Sequence, residues 1–161
     1  MKIKKSTFGI IIAIALLAAA VGVLAALNAK DARERASVRN DGVFVITSGG
    51  QSYTVDYDTL LGAGIKSFTA NYGKPAVKKT YHGVPLKTLC NALGIDLSEA
   101  KSCVARAADG FSTAVSVDKI NDTENVYIAI TLDGDGPYRL IVVKDAFNQN
   151  WCKLLVELTF K

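Results

Sequence analysis

Three cysteines and a single histidine are the residues of this sequence most able to do metal or redox chemistry. The cysteines, Cys90, Cys103 and Cys152, are far apart along the chain, so the Cys-x-x-Cys pair of a thiol–disulfide exchange enzyme is absent. One histidine with three scattered cysteines also lacks the paired ligand spacing of a zinc site. Any histidine-dependent base or proton shuttle would have to use His82. The sequence therefore predicts neither a thioredoxin-like site nor a zinc centre.

His82 and Arg139 stand beside residues that shape the backbone. His82 precedes the tight bend Gly83–Pro85 and is interpreted as an exposed loop residue. Arg139 follows a Gly-Pro-Tyr sequence and could bind a carboxylate or phosphate through two parallel hydrogen bonds. A strand residue whose head group lies in solvent or is paired locally is the simpler interpretation of Arg139.

Asp133 and Asp135 are spaced like the first two ligands of a calcium-binding loop. An EF-hand loop then requires an oxygen ligand at its fifth position and a glutamate at its twelfth. Pro137 and Lys144 occupy those positions here. The segment is therefore predicted to be a turn between two strands.

The longest apolar run, residues 8–27, contains no charged residue, and its 20 positions match a helix that crosses a hydrocarbon core of ~30 Å. Three lysines precede it in the flank 1–7, and a basic flank stays in the cytoplasm while the rest of the chain is exported. A cleaved signal peptide would begin in the same way, with Val23–Ala25 at the cut, but its apolar region is usually shorter. We therefore predict a single-pass cell-membrane anchor that carries an extracytoplasmic domain.

The net charge of +4 belongs entirely to the anchor and its surroundings, because residues 36–161 carry equal numbers of basic and acidic side chains. A nucleic-acid-binding domain should have a basic surface of its own, so this class of protein is excluded. Residues 28–40 mix helix formers with charges of both signs and are interpreted as a juxtamembrane stalk. The folded domain is predicted to span residues 41–161.

Within this domain, β-branched and aromatic runs alternate with turn residues, which predicts strands joined in hairpins. Strands are predicted at 43–47, 53–57, 65–72, 102–107, 111–117, 126–132, 138–143 and 151–160, with a polar loop or hairpin at 73–79. Short helices are predicted to begin near Asp58 and Asp118, and a longer one spans 84–95, with Pro85 near its start and Gly94 at its end. Strands outnumber helices, so the predicted class is α+β, mostly β, with a mixed or antiparallel sheet.

Four short motifs resemble the sulfite-oxidase-like molybdopterin-binding domain family and occur in that family's order. Tyr81–Leu89 is similar to its aromatic-x-Gly-Val-Pro-Leu-x-x-Leu element, Ala107–Phe111 to its Ala-x-Asp-Gly-aromatic turn, Gly136–Val142 to its Gly-Pro-x-Arg-Leu-Val-Val strand, and Cys152–Leu158 to its closing strand. The resemblance covers residues 43–161. It implies a mostly β domain with a few peripheral helices.

In the enzymes of this family, one cysteine thiolate binds the molybdenum of a pterin cofactor, from a strand upstream of the Gly-Val-Pro-Leu element. The corresponding strand here, 65–72, has no cysteine, and none precedes Cys90. Asparagine or tyrosine cannot replace a soft thiolate without changing the metal chemistry. The resemblance thus implies the fold without its metal ligand: we expect no cofactor, and molybdopterin stays the alternative.

The resemblance also suggests a role for individual residues. A family-like pocket would involve Tyr81, His82, Asp109, Arg139 and Lys153, with Arg139 and Lys153 contacting an anion. Cys103 and Cys152 replace valines of the family pattern. We interpret all three cysteines as buried thiols that act as small hydrophobic residues, with a Cys90–Cys103 disulfide as the alternative.

Two classes of function fit these observations. The first is a cofactor-free binding module, held at the membrane, that engages a small ligand or a partner protein. The second is a molybdopterin-dependent oxidoreductase, or a subunit of one, in which the cofactor is bound without the usual cysteine or is shared with another chain. Fold alone does not decide between them, but the missing thiolate and the neutral domain favour the first.

Overall fold

The computed structural model describes residues 42–73, 75–131, 136–146 and 148–161, together with residues 18, 19, 21 and 22. The chain divides into two units, residues 1–34 and 35–161. In the first unit, the four described residues are helical and exposed. The predicted flank 1–7 and stalk 28–40, and the predicted membrane segment 8–27 apart from those four residues, lie outside the described residues. Among the described residues, no helix is long and apolar enough to span a bilayer.

The described part of the second unit is mostly β, with nine strands, three short helices and one turn of 3-10 helix. The strands are β1 (Phe44–Ser48), β2 (Gln51–Val55), β3 (Lys66–Tyr72), β4 (Val77–Pro85), β5 (Ser102–Ala107), β6 (Ser112–Ser116), β7 (Val126–Ile130), β8 (Tyr138–Val142) and β9 (Leu155–Phe160). The helices are α1 (Tyr57–Ala63), α2 (Leu86–Ala92) and α3 (Val117–Asn121), and the 3-10 turn is Asn148–Asn150. The predicted mostly β class is confirmed.

A five-stranded sheet has the strand order β2-β1-β9-β5-β6. It is mixed, because β1 runs parallel to β9 while the other pairs are antiparallel. The predicted first hairpin is confirmed, and its turn residues Gly49 and Gly50 have φ angles of 57° and 79°. Two-residue hairpin turns need this left-handed backbone, which glycine adopts without strain.

A second, four-stranded sheet is antiparallel, with the order β3-β4-β7-β8. At Gly83 the backbone of β4 approaches β7 so closely that a Cβ atom would lie 2.2 Å from the carbonyl oxygen of Ile128. Glycine inside a strand commonly marks such a close approach. The Gly-Val-Pro-Leu motif therefore contains a glycine that the packing of two strands requires.

Both sheets and all three helices contribute side chains to one buried hydrophobic cluster. All five residues of β8 and four of the five residues of β7 are buried, which is typical of strands covered on both faces. Helix α2 adds Leu86, Leu89 and Cys90, whose spacing of three and four residues places them on one helical face. This core fixes the strands whose ends carry the candidate site.

One predicted boundary of β4 is wrong, and strand pairing is the reason. Val84 was expected on the helix, but it pairs with Ile128 of β7 and belongs to β4. Residues 73–79 were expected to form a polar loop or a hairpin, and the hairpin is the form observed, because Val77 pairs with Tyr72 and begins β4. The strand β4 therefore extends further toward helix α2 than local sequence pattern indicates.

The predicted last strand, 151–160, is also wrong at its beginning. Strand β9 starts at Leu155. Before it, Cys152 forms an isolated antiparallel bridge with Leu140 of β8, through two backbone hydrogen bonds of 2.9 and 3.0 Å. The chain thus touches one sheet at Cys152 and enters the other at Leu155.

Candidate functional site

His82 lies apart from the other predicted site residues. It is exposed on β4, where its Nδ1 atom lies 3.1 Å from the hydroxyl oxygen of Ser67 on the neighbouring strand. The expected loop position is therefore wrong, although the residue is exposed as predicted. Successive strand residues point to opposite faces of a sheet, so the side chains of His82 and Tyr81 lie on opposite faces of the four-stranded sheet.

Arg139 is only 2% exposed, so of its two expected forms the solvent-exposed head group is wrong and the locally paired one remains. Every residue of β8 is buried, and side chains on both faces of this strand lie in the interior. A buried guanidinium is costly unless it is paired and hydrogen-bonded. Arg139 is therefore part of the interior of the sheet.

A surface cavity of about 290 Å³ lies between the β5–β6 turn and the segment that precedes β9. It is lined by Asp109, Phe111, Asn148, Gln149, Trp151 and Lys153. Asp109 and Lys153 were predicted as site residues, whereas the other four were not. The lining residues that the structure describes thus combine a carboxylate, an ammonium group, two amides and two aromatic rings.

The β5–β6 turn supplies the first wall of the cavity. Gly110 donates its backbone N–H to the carbonyl oxygen of Ala107 at 3.1 Å, and its φ of 91° requires glycine. The Asp109 side chain closes the same turn, because its Oδ1 atom accepts a hydrogen bond of 3.0 Å from the backbone N–H of Phe111. Phe111 itself is 44% exposed, so its ring forms an open apolar wall.

The 3-10 turn Asn148–Asn150 supplies the second wall. The backbone N–H of Trp151 donates to the carbonyl oxygen of Asn148 at 3.2 Å, which places Gln149 on the same tight turn. The indole N–H of Trp151 donates to the carbonyl oxygen of Val142 at 3.0 Å, and the side chain is 5% exposed. The orientation of the ring that lines the cavity is therefore fixed by the core.

The two walls are joined directly by a backbone hydrogen bond of 2.9 Å from the N–H of Ala108 to the carbonyl oxygen of Leu154. Next to this hydrogen bond, the pairing register of β5 with β9 shifts by one residue, between Arg106 and Ala107. Leu154 has a φ of 52°, a left-handed conformation found at no other non-glycine residue of the described ranges. Bulges and strained residues of this kind redirect side chains at functional sites. Here they place Lys153 beside the turn that carries Asp109.

Aromatic rings continue from the cavity along one face of the four-stranded sheet. The centroid of the Trp151 ring lies 5.7 Å from that of Tyr81, edge to face, and 5.9 Å from that of Tyr72. The ammonium groups of Lys153 and Lys79 lie 5.9 and 4.5 Å from the centroid of Tyr72, within reach of a cation–π interaction. Of the five predicted ligand-binding residues, the structure therefore brings Asp109, Lys153 and Tyr81 together.

Asp145 holds the 3-10 turn in place. Its carboxylate accepts hydrogen bonds from the Lys119 ammonium and, at 2.6 Å, from the Asn150 amide. Partial burial tends to raise the pKa of Asp145, but these two hydrogen bonds outweigh it and hold the pKa below its ordinary value of 3.8. The turn is thus anchored to helix α3 by a charged hydrogen bond.

All three cysteines are free thiols in the core, so the Cys90–Cys103 disulfide considered above is not formed in this structure. Burial raises the pKa of Cys90 to about 12, and it raises that of Cys103 as well. Burial, with a further contribution from the negative charge of Asp109, raises the pKa of Cys152 to about 12. The thiolate is the form that binds soft metals, and these environments strongly disfavour it.

The residues along β3 do not fit a molybdenum cofactor bound through a thiolate. A smaller depression of about 120 Å³ runs along β3, the strand from which the family presents its cysteine, and is lined by Thr69, Ala70, Asn71, Lys78 and Val143. These side chains offer a hydroxyl, an amide and an ammonium group, but no thiol. The described ranges also contain no group of three or more His, Cys, Asp or Glu residues placed to hold a metal.

Comparison with protein-family models gives no match for this chain, and no curated protein matches it. Among solved structures, the chain is similar to the sulfane dehydrogenase SoxCD from Paracoccus pantotrophus, with a TM-score of 0.60 and 22% sequence identity. The match covers 76% of this chain but only 38% of that chain. This similarity shows the fold, and it supports the distant relation to the sulfite-oxidase-like fold that the sequence motifs predicted.

Sequence reasoning missed four cavity residues, namely Phe111, Asn148, Gln149 and Trp151. Two signals could have identified part of this set: Phe111 is an aromatic residue directly after an Asp-Gly turn, and Trp151 is the only tryptophan of the chain. The two amides carry no such signal, because they belong to a 3-10 turn whose position depends on Asp145.

Proposed function

We propose that this chain is a membrane-anchored, extracytoplasmic binding module that takes a small polar ligand into the cavity described above. The main support for a binding function is the cavity itself. It gathers groups of several chemical types on two backbone turns that hydrogen bonds hold in place. Preorganised groups lose less freedom on binding, and this is a general source of affinity.

We further propose that the module works without a molybdenum cofactor. The absence of a cysteine from β3 and the burial of all three thiols support this proposal. The alternative is a molybdopterin-dependent oxidoreductase or a subunit of one. The similarity in fold to a sulfane dehydrogenase favours this alternative, although this chain spans 38% of the length of that protein chain.

Elemental and pterin analysis separates the two functions. The full chain would be purified from the membrane fraction of cells that make the cofactor, and molybdenum would be measured against protein. We expect much less than one molybdenum atom per chain, with no pterin fluorescence after denaturation. A stoichiometric molybdenum content in a folded sample would overturn the cofactor-free proposal.

The anchor is tested separately, by extracting membranes from producing cells with alkaline carbonate and by treating intact cells, stripped of any outer layer, with protease. We expect the full chain to stay with the membrane pellet and the domain to be cut from outside. Release by carbonate, or protection from external protease, would contradict the proposed anchor or its orientation.

Ligand binding is tested by thermal denaturation of the full chain in a nonionic detergent, in the presence of amino acids, organic acids, sugars and nucleosides. A ligand at 100 times its Kd adds about 2.7 kcal/mol to the free energy of unfolding, a rise in Tm of several degrees. We expect at least one class to raise the Tm of the native chain and to leave unchanged that of a double variant, Asp109→Asn with Lys153→Met. The matched control is Lys66→Met, which removes an exposed lysine of β3. A native chain whose Tm responds to none of the compounds would contradict the binding function.

A further inference from the structure

We propose that the cavity binds a zwitterionic α-amino acid with an apolar side chain, either free or as a compound of similar size. This inference rests on the proposed binding function and names the chemical class of its ligand. The charges of the cavity are its first support. The lining residues that the structure describes include a carboxylate, on Asp109, and an ammonium group, on Lys153. A carboxylate and an ammonium group together complement a ligand that carries one charge of each sign.

The Asp109 carboxylate has one oxygen atom available for an ammonium group. Its Oδ1 atom is used by the turn, where it accepts the hydrogen bond from Phe111. Its Oδ2 atom makes no hydrogen bond with the described residues, and it is the atom that remains for a ligand. Because the turn fixes the side chain, little rotamer freedom is lost when an ammonium group binds there.

Lys153 supplies the opposite charge from the other wall. The hydrogen bond between Ala108 and Leu154 joins the residue before Asp109 to the residue after Lys153. The carboxylate and the ammonium group therefore come from directly connected backbone segments. An α-amino acid carries its two charges a few bonds apart, and we assign its ammonium group to Asp109 and its carboxylate to Lys153.

The remaining walls select an apolar side chain and limit the size of the ligand. Phe111 and Trp151 give the cavity two aromatic walls, and burial of apolar surface against them favours a hydrocarbon group. Asn148 and Gln149 add amides whose side chains make no hydrogen bond with the described residues, so they can complete the recognition of polar groups. At about 290 Å³ the cavity is at the lower limit of ligand pockets, which span ~300–1,000 Å³.

Trp151 is the only tryptophan of the chain and lines the cavity. Ligand binding can therefore be followed by the intrinsic fluorescence of the full chain, titrated in nonionic detergent. The probes are L-leucine and two analogues that each lack one charge: 4-methylpentanoate, which has no ammonium group, and 3-methylbutylamine, which has no carboxylate. We expect a saturable change with L-leucine and an affinity at least about tenfold lower for each analogue, because hydrogen bonds between charged groups are the strong ones.

Two conservative variants test the assignment of charges. Asp109→Asn keeps an oxygen that can accept the hydrogen bond from Phe111. It should lower the affinity for L-leucine about tenfold or more and leave the affinity for 4-methylpentanoate unchanged. Lys153→Met keeps a long apolar side chain. It should lower the affinity for L-leucine and leave the affinity for 3-methylbutylamine unchanged. Lys66→Met should leave all three affinities as they are. Circular dichroism and thermal melting confirm that each variant is folded.

Each outcome decides one point. If the two analogues bind as tightly as L-leucine, the zwitterion assignment is wrong although the cavity still binds ligands. If amino acids produce no saturable change while another class raises the Tm of the native chain, the inference fails and the binding function stands. If no compound of any class binds, both fail. The inference is supported if the native chain binds L-leucine more tightly than either analogue and if each variant loses affinity for L-leucine but not for the analogue that lacks the matching charge.

Discussion

The indole N–H of Trp151 donates a hydrogen bond of 3.0 Å to the backbone carbonyl oxygen of Val142, at the end of β8. This bond joins the wall of the cavity to a strand that is buried along its whole length. Val142 is the last residue of β8 and is still paired with Val126 of β7. The tryptophan therefore lines the cavity and also stabilises the core.

Trp151→Phe should lower the free energy of unfolding by about 1–3 kcal/mol, because it removes the donor to a buried carbonyl oxygen. The measurement is urea denaturation followed by far-UV circular dichroism, since the variant has no tryptophan. Tyr57→Phe, at a residue that is 50% exposed, is the control and should change the value by less than about 0.5 kcal/mol. Equal effects of the two substitutions would show that the bond contributes nothing to stability.

Gly83→Ala should destabilise the domain by several kcal/mol or prevent its folding, because the new methyl group would lie 2.2 Å from the carbonyl oxygen of Ile128 and 2.8 Å from the Cα atom of Ala129. These are backbone atoms of a central strand, so they cannot move aside cheaply. Gly62→Ala in helix α1 is the matched control, because nothing lies within 4 Å of its added Cβ. The control should be neutral or stabilising by up to about 1 kcal/mol. A soluble Gly83→Ala variant with native stability would refute the close approach of β4 and β7.

The three thiols should resist alkylation in the folded chain. With pKa values of Cys90 and Cys152 near 12, in place of an ordinary 9.0, almost no thiolate forms at pH 8 to 9, and burial blocks the reagent as well. We expect iodoacetamide to modify fewer than one thiol per chain in native conditions and all three in 6 M guanidinium chloride, as measured by intact mass. Rapid labelling of the native chain would contradict the buried positions.

The same thiols predict a loss of stability at alkaline pH. Their pKa values are higher in the folded chain than in the unfolded chain, so above pH 9 the unfolded chain binds fewer protons than the folded one. The free energy of unfolding should therefore fall from about pH 9 upward, continuing until the pH reaches the raised pKa values near 12. Cys90→Ala should reduce the slope of stability against pH in this range, and an unchanged slope would argue against the raised pKa.

Asp145→Asn should lower the free energy of unfolding at pH 7 by about 1 kcal/mol, because it removes the charged partner of Lys119. The pKa of Asp145 is lower in the folded chain, so its contribution is fully present above about pH 4 and is lost as the pH falls through the lowered value. The difference between native chain and variant should therefore shrink as the pH falls from about 4 through this lowered pKa. A difference that is independent of pH would indicate a packing effect.

Much of the fold could be predicted from local pattern. The hairpin turn at Gly49 and Gly50 and the strand pairing around the Asp109–Gly110 turn depend on residues that adopt a turn whatever surrounds them. Cys103, predicted to be a buried thiol, lies in the core together with Ala105 and Ala107, because a strand presents every second residue to the same face. For such features the information is carried by neighbours in sequence.

The sequence by itself determined the strands, the turns, the buried cysteines and the absence of a thiol from β3. Only the tertiary structure decided that Arg139 is interior, since its exposure depends on what covers both faces of β8. Only the tertiary structure decided that Trp151 leaves the last strand and lies beside Phe111, 40 residues earlier. The physical reason is that the cavity forms where two distant backbone segments are joined by the hydrogen bond between Ala108 and Leu154. No pattern within either segment specifies its partner.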